Sequence, residues 1–191
     1  MVISMRRADL LAVTGVSVGL FNNLAQRRLM PFHQPASGGW GRFTADHAFR
    51  LALFLELGRA GRSQEQAAAL VRTEYDDLLF FASRSGSGGE VLFGSFAIFE
   101  QAESEASQLH LPIVCLLGGG ELDRVVEKSL ETVERDRRQV CEIAVINASL
   151  VLRRLLERAR ATGLNDASFE ALVCRFQSPP EALVLASGAE D

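Results

Sequence analysis

Two short segments with apolar residues at helical spacing, separated by one glycine, constrain the start of this chain more than any other feature. Residues 6–14 form the first segment and stop at Gly15, a position that favours a left-handed turn residue. Ser17 then fits the N-cap of a second helix that runs to Arg28. The sequence therefore predicts two helices joined by a tight turn, which is a helix-turn-helix.

The second predicted helix has an apolar face and a polar face. Its apolar residues recur every three or four positions and are expected to pack into the core: Val18, Phe21, Leu24 and Ala25. Helical geometry then places four other residues on the outer face: Gly19, Asn22, Asn23 and Gln26. This outer face is predicted to be free to meet a partner.

Caps and helix breakers delimit the next elements. Met30-Pro31 ends the second helix, and residues 32–43 hold two extended runs around Ser37-Gly38-Gly39, which predicts a two-stranded hairpin. Thr44 caps a third helix that breaks at Gly58.

A fourth helix and a linker follow. Ser63 and Gln66 have the spacing of a capping box, which predicts a helix running to about Phe81. The Ser/Gly-rich residues 83–90 are typical of a linker.

Beyond the linker the apolar period changes. Three short apolar runs are predicted as strands, at residues 91–100, 111–117 and 138–147. Helical patterns lie between or after them, at residues 101–110, 121–136 and 148–162. Strands alternating with helices favour a small α/β unit.

These patterns predict an α+β protein with an N-terminal winged helix-turn-helix and a small α/β domain. The expected boundaries are 1–82 for the winged domain, 83–90 for the linker, 91–163 for the α/β domain and 164–191 for a weakly structured tail.

Charge is distributed unevenly along the chain. The net charge is −4, but residues 1–63 hold eight arginines and three acidic residues, a net charge of +5, which leaves −9 for the remainder. A basic N-terminal part followed by an acidic remainder is expected when only the N-terminal part binds phosphate. A solvated arginine face with no partner is the alternative interpretation.

The composition is that of an ordinary globular protein, with 48% apolar and 23% charged residues among 191. No apolar run reaches the eighteen residues of a membrane span, and Asp9 interrupts the start where a signal peptide would be apolar, so we expect a cytoplasmic protein. The three cysteines suit reduced core thiols better than disulfides or a metal site.

The ordered set of motifs over residues 4–72 resembles the DNA-binding domain of the MerR family. The matching residues are Thr14-Gly15-Val16-Ser17-Val18, Leu29-Met30-Pro31, Gly41-Arg42-Phe43-Thr44, Asp46, Leu57-Gly58 and Ser63-Gln64-Glu65. The resemblance implies duplex DNA as the partner, read by the second helix and the hairpin wing. The same winged domain also resembles those of phage excisionases and small terminase subunits.

The chain departs from the family on the second helix. Family members carry Arg and an Arg-Tyr-Tyr set where this chain has Gly19 and Asn22-Asn23-Leu24, and Gly where it has Arg28. These departures point to a DNA reader with its own specificity.

Two kinds of DNA contact are expected. Base-edge contacts are predicted for Asn22, Asn23 and Gln26, whose amides can pair with adenine. Gly19 is expected to let the backbone approach DNA closely, and Ser17 is also expected to contact DNA. Phosphate contacts are predicted for Arg6, Arg7, Arg27, Arg28 and Arg42. Trp40 is expected either to lie against the sugar backbone or to pack on the third helix.

Other motifs do not support an enzyme, a cofactor or a metal site. Residues 117–121, LGGGE, match neither a dinucleotide fingerprint nor a P-loop, and we interpret them as a tight strand-to-helix turn. The three histidines lack paired ligand spacing. The basic, apolar-striped helix at residues 148–162 fits either a dimer contact or a layer covering the sheet.

The leading hypothesis is a sequence-specific transcription regulator that acts as a homodimer on double-stranded DNA, with no membrane partner and no required effector. A small-molecule effector for the α/β domain stays open. The alternative is a phage-derived packaging or excisionase-like protein that arranges DNA with the same wing.

Overall fold

The computed structural model describes residues 4–33, 42–84, 90–99, 108–117, 127, 139–164 and 167–177. The fold class is α+β, as predicted. In chain order the elements are α1 (Arg7–Thr14), α2 (Val18–Gln26), α3 (Ala45–Arg59), α4 (Gln64–Arg84), β1 (Glu90–Phe99), β2 (Gln108–Leu117), β3 (Gln139–Asn147), α5 (Ala148–Ala161) and α6 (Ala167–Gln177).

The first two helices are separated by three residues and meet at an angle of 111°. Gly15 ends α1 with φ 72°, and its N–H donates to the Leu11 carbonyl at 2.9 Å. Ser17 caps α2, because its hydroxyl oxygen accepts from the Leu20 N–H at 3.2 Å. Both predicted helix signals at this turn are confirmed.

The predicted capping box at the start of α4 is also confirmed. The Ser63 N–H donates to Gln66 Oε1 at 3.0 Å, and the Gln66 N–H donates to Ser63 Oγ at 3.2 Å. The helix runs on to Arg84, three residues beyond its expected end.

The three strands form one antiparallel sheet in the order β2-β1-β3. This corrects the expected α/β unit, whose alternating strands and helices belong with a parallel sheet. Residues 108–110, predicted as helix, are the first part of β2 and pair with Ala97, Ile98 and Phe99 of β1. The rest of that predicted helix, and nearly all of the one at 121–136, lies outside the described residues.

Gly94 allows the close approach of β1 and β3. A Cβ atom at this position would lie 2.1 Å from the Ala144 carbonyl oxygen, well inside van der Waals contact. Glycine is therefore required here by backbone proximity.

A helix in the supposed tail is the second correction. Helix α6 covers Ala167–Gln177, within the stretch expected to be weakly structured. Phe169, Leu172 and Phe176 recur at helical spacing and are buried, and Phe176 meets Phe49 of α3 edge to face with ring centroids 5.7 Å apart. Burial of this apolar stripe on α3 and α4 explains the helix; residues 178–191 lie outside the described part.

The buried apolar residues form a continuous cluster. It includes side chains of α1 to α4 together with Val91 and Phe93 of β1 and Val151 and Leu155 of α5. The residues on the two sides of the expected linker therefore share a core. The predicted domain boundaries stay a prediction, and linker residues 85–89 lie outside the described residues.

The predicted wing is described only at its base. Residues 34–41, which include Trp40, lie outside the described residues. Met5 and Phe43 form an antiparallel bridge with N···O distances of 2.7 and 2.9 Å. Phe43 also packs edge to face on Phe32, with centroids 6.2 Å apart. The base of this region is thus fixed to the start of the chain and to the core.

In the part of the chain that is described, no single helix is long and apolar enough to cross a membrane; α1 and α2 pass on length and composition only as a bent pair.

His47 makes stability pH-dependent at the base of the wing. The Thr44 N–H donates to His47 Nδ1 at 3.1 Å, a bond that requires an unprotonated nitrogen. Burial lowers the pKa of His47 below 6.5; the charge of Asp46 opposes this shift and that of Arg50 adds to it. Below about pH 6.5 the unfolded state then binds more protons than the folded state. The contribution of His47 to the free energy of unfolding is therefore fully present above that pH and decreases as the pH drops toward the lowered pKa.

We expect the thermal unfolding midpoint to decrease between about pH 7.5 and pH 5.5, and the decrease to be smaller in His47→Gln. Glutamine at this helix position preserves the capping box but does not titrate. The measurement is thermal unfolding of both proteins across this pH range. Identical pH profiles for the two proteins would contradict the assignment to His47.

Candidate nucleic-acid interface

The outer face of α2 is exposed as predicted. Gly19, Asn22, Asn23 and Gln26 all lie at the surface, whereas Phe21 and Leu24 are completely buried. The helix therefore presents a short polar surface above an apolar underside.

Val18 does not pack into the core as predicted, since its side chain is 58% exposed. It is the first residue of α2, where the helix has not yet reached the core. Val16, in the preceding turn, is 5% exposed and fills the core position instead. Exposed Val18 extends the surface of α2 with an apolar group at its N-terminal end.

Three of the predicted contact residues line one cleft. Arg7, Asn22 and Gln26 surround it together with Ala25. Arg7 Nη2 donates to Asn22 Oδ1 at 2.5 Å, and its guanidinium carbon lies 4.8 Å above the centre of the Phe21 ring. The first helix thus fixes the orientation of a side chain on the second.

This contact determines which groups of Asn22 are free. One lone pair of Oδ1 accepts from Arg7, which leaves the second lone pair and the Nδ2 donors. An amide with a free donor and a free acceptor can pair bidentately with adenine. Arg7 is therefore placed to orient Asn22 as well as to contribute charge.

Arg27 is paired with the start of α4. Its guanidinium donates to Gln64 Oε1 at 3.1 Å and forms an ion pair with Glu65. A hydrogen bond from the Glu65 backbone N–H contributes most to the lowered pKa of Glu65; burial opposes this shift, and the Ser63 side chain and the Arg27 charge contribute less to it. Both partners are about half exposed, so the ion pair is weak and Arg27 can exchange it for a phosphate.

Arg28 adopts a left-handed backbone conformation, which glycine adopts more readily than other residues. Its φ is 58°, in the left-handed region, and it stands where the MerR-like pattern has Gly. The Arg28 carbonyl accepts from Arg72 Nη2 at 2.7 Å, and the Met30 carbonyl accepts from Arg72 Nε at 2.8 Å. Helix α4 thereby holds the end of α2.

The remaining predicted contact residues have different positions. Arg6 and Arg42 are exposed, and the Asp9 side chain accepts from the backbone N–H of Arg6, the N-cap of α1, at 2.8 Å. Ser17 uses its hydroxyl oxygen as the α2 cap and keeps its hydroxyl proton as a donor. Trp40 lies outside the described residues, so neither interpretation of it is tested.

The sequence did not predict the contacts that α4 and α5 make with this region. Arg72 binds the end of α2 across 44 residues of sequence, and Arg158 of α5 donates to the Thr14 carbonyl at 3.0 Å across 144. The sequence shows that one edge of α5 is basic, but no local sequence signal predicts which backbone carbonyl accepts a hydrogen bond from an arginine on that edge.

Among the described residues, no group of three His, Cys, Asp or Glu residues could hold a metal ion.

In comparisons with known proteins, no family model matches the chain and no curated protein matches it. The MerR resemblance therefore rests on the quoted motifs alone and remains a prediction.

Proposed function

We propose that this protein binds duplex DNA in a sequence-specific manner and regulates transcription, with α2 as the recognition helix in the major groove. The observation that carries the proposal is the cleft on the outer face of α2, where Arg7 orients Asn22 next to Gln26. Two amides on the exposed face of α2, with the guanidinium of Arg7 from α1 beside them, are groups that can read base edges.

The geometry of the first two helices supports this proposal. Their angle of 111° and short glycine-containing turn fall within the usual range of a helix-turn-helix. The N-terminal residues of a recognition helix contact base edges, and here they are Val18, Gly19 and Asn22. Gly19 has no side chain, and a Cβ there would meet nothing within 4 Å, so DNA can approach the backbone closely.

The charge distribution supports phosphate contacts around this helix. Arg6, Arg27, Arg28 and Arg42 are all exposed, and phosphate contacts hold a protein in register without reading sequence.

We further propose that the protein acts as a homodimer, since two-fold proteins reading paired half-sites gain the affinity that a single short helix lacks.

The test is selection of bound sequences from random duplex DNA with the full chain. We expect enrichment of a motif that contains adenine at one or more fixed positions, arranged as an inverted repeat. Retention of DNA without any enriched motif would favour the alternative protein that arranges DNA. If no DNA were retained at low salt, DNA binding itself would be wrong.

Arg28→Gly should weaken DNA binding without lowering the stability of the fold. Glycine relieves a left-handed backbone that costs a non-glycine residue about 1–2 kcal/mol, and its greater freedom in the unfolded chain offsets part of this gain. We expect unfolding at the same or a higher urea concentration than in the unmodified protein. Removal of the guanidinium should weaken binding to all duplexes and make the salt dependence shallower by about 0.9 in log–log slope.

Arg28→Ala is the matched control, because it removes the same charge but keeps the strained backbone. It should bind DNA with the same affinity as Arg28→Gly, and its free energy of unfolding should be about 1 kcal/mol lower than that of Arg28→Gly. Unchanged DNA affinity in both variants would show that Arg28 does not contact phosphate.

A further inference from the structure

The basic edge of α5 lies beside the turn between α1 and α2. A crevice forms where α1, α3 and α5 meet, and its lining includes Thr14 of α1, Arg59 of α3 and Arg154 and Arg158 of α5. The sequence pattern of α5 predicted either a dimer contact or a layer covering the sheet. The helix packs against β1, in agreement with the covering layer, and it also brings two of its arginines to the turn between α1 and α2.

Arg158 is fixed at this turn by a specific contact. Its Nη1 donates to the Thr14 carbonyl at 3.0 Å, at the C-terminal end of α1. A Cβ atom on Gly15 would lie 3.1 Å from the same nitrogen, so the guanidinium lies directly against the turn. Because the acceptor is a neutral carbonyl, the positive charge of Arg158 is not cancelled by it.

The crevice carries a surplus of positive charge. Its lining holds three arginines and one glutamate, Glu56, a net charge of +2. Glu56 pairs with Arg59. Arg154 is exposed and makes no hydrogen bond or ion pair with any residue that the structure describes. Arg154 is therefore the group in the crevice most available to an added anion.

This charge lies within reach of DNA that α2 would bind. Thr14 and Val18 are four residues apart, so their Cα atoms are separated by at most about 15 Å. The major groove is about 12 Å wide and is bordered by phosphates on both strands. A helix whose first turn enters the groove therefore brings the neighbouring turn, and the arginines against it, close to a bordering strand.

We propose that Arg154 and Arg158 of α5 extend the DNA interface to the phosphates that border the groove at the N-terminal end of α2. The inference rests on the proposed function, because it assumes that α2 enters the groove. It assigns the C-terminal half of the chain a direct part in binding. Arg158 then both caps α1 and contacts phosphate, whereas Arg154 contacts phosphate only.

The experiment compares Arg154→Gln with Arg160→Gln in the full chain, measuring affinity for one mixed-sequence duplex at several salt concentrations. The two variants lose the same charge from the same helix, but Arg160 does not line the crevice. We expect Arg154→Gln to make the log–log salt slope shallower by about 0.9 and to weaken binding at low salt. Arg160→Gln should keep the slope of the unmodified protein.

An unchanged slope in Arg154→Gln, or an equal decrease in both variants, would overturn the proposal. Misfolding is checked by thermal unfolding, where neither exposed substitution should shift the midpoint. Failure of the proposed function is distinguishable, because the unmodified protein would then fail to bind the duplex at low salt.

Discussion

Replacement of Phe21 by alanine should lower the free energy of unfolding by about 3–5 kcal/mol, the usual cost of removing a buried phenylalanine side chain. Phe21 is completely buried beneath the outer face of α2. Its ring meets Phe43 edge to face, with centroids 5.9 Å apart, and lies under the Arg7 guanidinium. The substitution therefore removes contacts that join α2 to α1 and to the base of the wing. Urea unfolding followed by circular dichroism measures the loss.

Two further substitutions make this prediction specific. Phe21→Leu keeps an apolar side chain at the site and should cost less than the alanine variant. Asn23→Ala changes an exposed position on the same helix and should alter stability by no more than about 0.5 kcal/mol. A loss below about 1 kcal/mol in Phe21→Ala would mean that α2 is not packed as described.

Local signals predicted the N-terminal helices well. Gly15, Ser17, Thr44 and the Ser63-Gln66 pair each act within one helical turn, so their hydrogen bonds follow from sequence spacing alone. The exposed face of α2 followed in the same way from the 3.6-residue period. These elements position the candidate site.

Contacts between distant parts of the chain were not predictable from such signals. The apolar stripe of α6 could be recognised as a stripe, but its burial depends on the aromatic surface around Phe49 of α3. Arg175 of α6 also binds Asp46 at 3.0 Å, across 129 residues. Helix formation there depends on tertiary packing, which local propensity does not encode.

The same limit applied to Val18 and to the strands. The helical period identified Val18 as apolar-facing but could not show that Val16 of the preceding turn takes the core position and that the first buried residue of α2 is Phe21. The antiparallel order β2-β1-β3 depends on pairing choices between segments, and short apolar runs do not specify them.

The α1–α2 pair is held in place by contacts from α1, α4 and α5. Arg7 of α1 binds Asn22, Arg72 of α4 binds the carbonyls at the end of α2, and Arg158 of α5 binds the end of α1. Sites supported by rigid elements keep their side chains in a fixed geometry and lose little freedom on binding. If α2 binds DNA as proposed, this arrangement favours readout of base edges over electrostatic attachment alone.

Asn22→Ala should remove discrimination between the preferred duplex and one in which the contacted adenine is changed. A bidentate amide–adenine pair contributes about 1–3 kcal/mol of discrimination, which corresponds to roughly 5- to 150-fold in relative affinity. The salt slope should stay unchanged, because no charge is lost. Arg7→Lys keeps the charge but loses the planar fork that holds Asn22 Oδ1, so it should lower discrimination in part and also leave the slope unchanged.

Arg27→Ala should have the opposite effect on discrimination and salt dependence. It should weaken binding to every duplex and make the salt slope shallower, because a phosphate contact is lost without loss of base readout. The substitution also leaves the Glu65 carboxylate without its ion-pair partner. A phosphate that Arg27 would have contacted is then repelled by this carboxylate. Addition of Glu65→Gln should therefore restore part of the affinity. If Asn22→Ala and Arg27→Ala changed discrimination and salt slope in the same way, α2 would not read bases through its amides.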